Sequence, residues 1–90
     1  NLVLLDVLGG RFVEELVFSF SEDVVANFSV GEMVLFYEYG CVQDNVTNKQ
    51  VYRAYIKDLT NNCLSLQLEN ARYGLDFFEK DINSALKNLR

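Results

Sequence analysis

Leu64, Leu66 and Leu68 alternate with Ser65, Gln67 and Glu69, and this strict period of two constrains the fold more than any other feature of the chain. Successive side chains of an extended strand point to opposite faces, so one side of the segment must be buried while the other meets water. The same pattern recurs elsewhere. Leu2 to Leu8 is an apolar run broken by Asp6 and closed by Gly9-Gly10, a pair suited to the positive φ of a tight turn. Leu16, Phe18 and Phe20 then alternate with Glu15, Val17 and Ser19, which predicts a hairpin over residues 1–20. A polar, acidic connection over 21–27 gives way to Phe28-Ser29-Val30-Gly31-Glu32, with Gly31 at the third position of a type II turn, and then to a third strand, Met33-Val34-Leu35-Phe36-Tyr37.

From Glu38 to Asn48 the chain is polar and carries Gly40, Asp44, Asn45 and Asn48, the expected longest surface loop. Gln50 to Asp58 predicts a fourth strand, turned through Leu59-Thr60-Asn61-Asn62 into the leucine-alternating fifth. Strands this short and this regularly spaced predict a mainly β fold, a small five- or six-stranded antiparallel β-barrel of OB-like or SH3-like kind. After Gly74 the period changes. Phe78, Ile82, Ala85, Leu86 and Leu89 recur at spacings of three and four, and Asp76 with Glu79 resembles a capping pair, so a C-terminal α-helix is expected with Lys80, Lys87 and Arg90 on its exposed face. The expected division is a β-barrel over 1–74 and a helix over 75–90.

Composition bounds what such a domain can do. With 90 residues, half of them apolar, the chain buries about 60 to 65% of its unfolded surface, enough for one modest core. No run reaches the roughly 18 apolar residues of a membrane helix. There is no histidine, so Ser-His-Asp and Cys-His nucleophile systems and His-rich metal sites are excluded. Cys41 and Cys63 have no second cysteine nearby, which excludes a redox CxxC; they read as free thiols of an intracellular protein rather than a disulfide. Asn27-Phe28-Ser29 and Asn45-Val46-Thr47 match the glycosylation triplet without a signal peptide to support it, and read as chance matches. An opening at Asn1 inside an apolar run and an end at Arg90 inside an expected helix are what a domain within a longer polypeptide would have.

Charge divides the chain. Residues 1–48 carry Arg11 against eight acidic groups, a net of −7, and residues 49–90 carry seven cations against five acids, a net of +2, for −5 in all. Counterion displacement by clustered Lys and Arg drives sequence-independent nucleic-acid binding, so any such contact by this acidic domain is local. The acidic pairs Glu14-Glu15 and Glu22-Asp23 would place neighbours on opposite faces and read as solvated charge rather than a carboxylate catalyst. Gly9-Gly10 is not followed by Gly-Lys-Ser/Thr, so no triphosphate loop is present, and neither catalytic nor metal-ligating residues are identified. One stripe has a binding pattern. Arg53, Tyr55 and Lys57 fall, with Val51, on one face of the fourth strand, where two cations flanking an aromatic ring would hold phosphates and stack a base. The competing reading is an ordinary solvent-facing strand whose tyrosine covers a barrel edge.

The order of these pieces resembles a known family. Asn1-Leu2-Val3-Leu4-Leu5, the following hairpin, and Phe28-Ser29-Val30-Gly31-Glu32-Met33-Val34-Leu35-Phe36-Tyr37-Glu38 resemble the accessory β-barrel of superfamily 1 helicases, the group with the nonsense-mediated-decay, immunoglobulin-mu-binding and replication helicase-nuclease enzymes. There a Phe-x-x-Gly-Asp-x-Val segment starts a barrel strand; here Glu32 stands in the aspartate's place. Ala54-Tyr55-Ile56 followed by Leu64-Ser65-Leu66-Gln67-Leu68 is similar to the second hairpin, with Ala54 where the family often has glycine. Phe77 to Arg90 looks like the segment returning to the motor. The resemblance implies a non-catalytic barrel that lines a single-strand channel of an ATP-dependent DNA or RNA helicase and abuts a RecA-like motor domain. It implies ATP and magnesium in the parent chain, none in this segment, and no membrane. The alternative is a stand-alone protein-interaction barrel working through an acidic surface.

Overall fold

The computed structural model describes residues 2–20, 27–38, 51–60, 62–78 and 80–88, which form six strands. They are β1 (Leu2–Gly9), β2 (Val13–Phe20), β3 (Met33–Glu38), β4 (Tyr52–Leu59), β5 (Cys63–Leu68) and β6 (Asn83–Asn88). The sheet closes in the order β1-β2-β5-β4-β3-β6, with every pairing antiparallel. An even number of strands lets direction alternate around the whole ring, so closure needs no parallel pair. Strands β3, β4 and β5 are sequential neighbours and β6 returns beside β3, which is a Greek key.

Alternation does the sorting that the sequence predicts. Leu16 and Phe18 of β2, Val34 and Phe36 of β3, Tyr52, Ala54 and Ile56 of β4, and Leu64, Leu66 and Leu68 of β5 all point inward and are buried. Among the described residues these side chains fill the interior as one core cluster. Phe18 and Phe36 meet edge to face at 5.8 Å in the interior, and Phe36 stacks on Tyr52 at 5.0 Å. Phe78, from the segment between β5 and β6, caps one end against Tyr52 at 5.1 Å. Register shifts between Leu4 and Asp6 and between Ile56 and Asp58 put an extra residue into β1 and β4, bending the strands as a tight barrel requires.

The turn into β3 has the expected geometry. Gly31 has a φ of 91°, the Glu32 amide donates to the Ser29 carbonyl at 3.1 Å, and the Glu32 carboxylate accepts from the Ser29 amide at 2.9 Å. The turn is then tied to β4, because Gly31 N–H donates to Ile56 O at 2.7 Å and Ile56 N–H to Glu32 O at 2.9 Å.

The expected C-terminal helix is not formed: residues 83–88 are strand β6, and the barrel therefore extends past residue 74 to take them in. Asp81 is left-handed, with φ of 68°, which stops a helix from crossing it. Beyond it β6 runs between β1 and β3, whose backbone groups would otherwise form two open edges. The helical spacing of Ile82, Ala85 and Leu86 equally allows Ser84 to be buried and Leu86 half-buried on one strand face. A short apolar segment does not distinguish the two periods, and edge satisfaction decides.

Glu79, Leu89, Arg90, Cys41, the triplet at 45–47 and the loop from 39 onward lie outside the described residues. Cys63 is exposed and free. Among the described residues no helix is long and apolar enough to cross a membrane.

Candidate nucleic-acid interface

Strand β4 places the predicted stripe on the outside of the barrel. Tyr52, Ala54 and Ile56 face the core, so Arg53, Tyr55 and Lys57 face outward, and Tyr55 is 44% exposed. Across the sheet Tyr55 sits between Met33 of β3 and Gln67 of β5. The three side chains thus share a surface, but the structure gives both cations carboxylate partners. Lys57 Nζ lies 2.8 Å from Glu15 Oε1, and that hydrogen bond, reinforced by the carboxylate's charge, pushes the lysine pKa up. Arg53 Nε lies 3.3 Å from Glu69 Oε1. Both pairs are solvent-exposed on the cation side, where ion pairs are weak and readily exchanged for another anion.

A second cluster, which the sequence pattern does not reveal, lies at the rim where β2 begins and β5 ends. Val13 N–H donates to Tyr73 O at 2.8 Å and Phe12 bridges to Gly74, stitching the β1–β2 turn to the segment after β5. Arg11 lies over the Phe12 ring at 5.7 Å, and Arg72 over the Tyr73 ring at 5.4 Å while donating from Nη2 to the Tyr73 hydroxyl at 3.3 Å. Tyr73 packs against Phe77 at 4.6 Å and edge-on to Tyr52 at 5.4 Å. Phe12, Val51, Leu75 and Phe77 are exposed around it, at 40 to 46%.

Between the start of β4 and the chain after β5 lies a shallow groove of about 110 Å³, lined by Tyr52, Arg53, Leu68, Asn70, Arg72 and Tyr73 among others. That is well under the roughly 300 Å³ of a drug-sized pocket. The groove joins the two clusters, because Arg53 of the stripe and Arg72 and Tyr73 of the rim all line it. A sequence signal for the rim does exist: Arg11-Phe12 and Arg72-Tyr73 are each an arginine followed by an aromatic residue. Nothing in the sequence says that two dipeptides so far apart along the chain meet at a backbone bridge.

At the floor of the groove, burial keeps the Tyr52 hydroxyl protonated, with added repulsion from Glu38 and Tyr73, and pushes its pKa up to about 12. Among the described residues no group of three or more Cys, Asp and Glu could hold a metal ion.

No family model, no curated protein and no solved structure matches this chain.

Proposed function

We propose that this barrel is an accessory, non-catalytic domain of an ATP-dependent DNA or RNA helicase, contributing a wall to the path of a single strand beside a RecA-like motor. The observation that carries the reading is the segment from Phe28 to Tyr37. In its Phe-x-x-Gly-Glu signature Phe28 packs on the core, Gly31 takes the positive φ of the turn, and Glu32 holds Ser29. The hairpins β1–β2 before it and β4–β5 after it support the reading, whereas residues 83–88 of the returning segment form strand β6 and do not. ATP and magnesium would belong to the motor, since this chain carries no Gly-x-x-x-x-Gly-Lys-Ser/Thr loop. The setting would be intracellular, cytoplasmic or nuclear. Arg53, Tyr55 and Lys57 are the sequence's candidates for the strand contact.

Reading the gene onward from Arg90 tests the proposal directly. A triphosphate loop within a few tens of codons, and an ATPase stimulated by single strands in the full-length product, are the expected results. A stop codon soon after Arg90, with no such loop elsewhere in the frame, overturns it.

A second reading is a protein-interaction barrel that presents acidic groups. The capture of Arg53 by Glu69 and of Lys57 by Glu15 favours it, because those pairs lower the positive potential of the outer face of β4.

A further inference from the structure

We propose that a single nucleic-acid strand is held at the arginine–aromatic rim, with a base against Tyr73 and Phe77 and phosphates at Arg72, Arg53 and Arg11, rather than on the outer face of β4. The inference rests on the helicase reading for its ligand class and specifies where that ligand sits.

Charge accounting separates the two locations. Among the described residues Arg53, Lys57 and Lys80 each have a carboxylate within 4.0 Å, whereas Arg11, Arg72 and Lys87 have none, and of these the two arginines lie over aromatic rings. A guanidinium stacked on a ring keeps its outward N–H donors available for an anion, and its planar fork matches two phosphate oxygens. The Phe12–Gly74 bridge and the Val13–Tyr73 hydrogen bond join, at one rim, the two segments that carry these arginines.

The aromatic groups there supply what phosphate contacts cannot. Phe77 is 46% exposed and its ring centroid is 4.6 Å from that of Tyr73, whose ring also carries Arg72, so the stacking surface on offer is the exposed side of Phe77, backed by Tyr73. Stacking on such a platform is tolerant of base identity, as a translocating strand requires. The adjoining groove adds Asn70, whose amide can both donate and accept, and Arg53, whose exposed pairing to Glu69 a phosphate can displace. Glu14, beside Val13 on the bridged segment, Glu69 and Asp76 are acidic residues of these segments and limit affinity, so binding is weak and sensitive to salt.

Photocrosslinking at low salt tests the location. The probe is a single strand of about ten nucleotides, within the range one small barrel covers, substituted with 4-thiouridine or bromodeoxyuridine and mapped on the protein by mass spectrometry. Adducts are expected at Tyr73, Phe77 or Phe12. In a parallel titration Arg11→Glu and Arg72→Glu together weaken binding roughly tenfold or more and flatten the salt dependence by about 0.7 in log–log slope per arginine lost. Lys87→Glu, the same charge change on β6, leaves affinity within about twofold, and circular dichroism checks that each variant is folded. Adducts confined to Tyr55, with Lys57→Glu the damaging change, overturn the rim and leave the helicase reading intact. An absence of adducts and of any single-strand binding, even when the chain is tested within its full-length parent, overturns both.

Discussion

The wall formed by β2, β5 and β4 and the seam formed by β1 and β6 are built to different standards. β2 pairs with β5 through five residues, from Glu15–Gln67 to Ser19–Cys63, and β5 with β4 through five more. β1 pairs with β6 through only Leu2–Ser84 and Val3–Asn83, extended by the bonds of Leu4 N–H to Ile82 O at 3.3 Å and Asp81 N–H to Leu4 O at 2.8 Å. The bulge after Leu4 then carries β1 away. The wall also contributes most of the largest fully buried side chains, Leu16, Phe18, Ile56, Leu64 and Leu66. The seam buries Leu2 and Leu4 from β1 but, among the described side chains of β6, one polar residue, Ser84. Local opening follows the density of buried apolar contact and backbone bonding, so the barrel has a place where it opens first.

Core truncation gives the widest contrast. Phe18→Ala in the wall should cost about 3–5 kcal/mol, a large part of the stability of so small a domain, whereas Leu86→Ala in β6, where the side chain is half-buried, should cost about 1–2 kcal/mol. Urea unfolding monitored by circular dichroism measures both; equal costs would mean that the seam is packed as tightly as the wall.

Gly9 comes next. It ends β1 with φ of 156°, and a β-carbon there would collide with the Phe12 carbonyl oxygen and come within 2.9 Å of Glu14 N. Gly9→Ala should lower stability by about 1–3 kcal/mol through backbone strain, while Gly10→Ala, with open space around it, should be close to neutral. A larger loss at Gly10 would show that the β1–β2 turn is shaped differently.

Alkaline titration probes the head of β4. Tyr52 has its pKa raised from 10.0 to about 12 in the folded barrel, so the protonated form is favoured by folding. Its contribution is fully present below pH 10.0 and is lost as pH rises toward about 12. Tyrosinate absorbance should show a late-titrating component, missing in Tyr52→Phe, and that variant should lose less stability in the alkaline window than the parent.

The smallest effect is local. Amide hydrogen exchange at Leu4 and Asp81, on the seam, should be faster than at the β2–β5 ladder residues under native conditions. Matching protection on both sides would place the first opening elsewhere.

Much of the barrel is legible in the sequence. The inward residues Leu16, Phe18, Ala54, Ile56, Leu64 and Leu66 are readable because a strand alternates with period two and a barrel has one dry face. The turn at Ser29–Glu32 is readable because only a residue tolerant of positive φ serves at its third position, and Gly31 is there. The outward face of Arg53, Tyr55 and Lys57 follows from the same alternation. The acidic partners do not: Glu15 meets Lys57 across 42 residues of sequence through the β2–β5–β4 order, which no local pattern encodes.

Local chain chemistry settles which short segments are extended, which side of each is oily and where the backbone must turn, since sterics and side-chain alternation act over a few residues. Residues 83–88 become a strand only on closure of the barrel, because two open sheet edges offer backbone partners that an isolated amphipathic segment does not have. The shared rim of Arg11 and Arg72 and the engagement of the β4 cations arise in the same way, since both depend on which strands become neighbours when the ring closes.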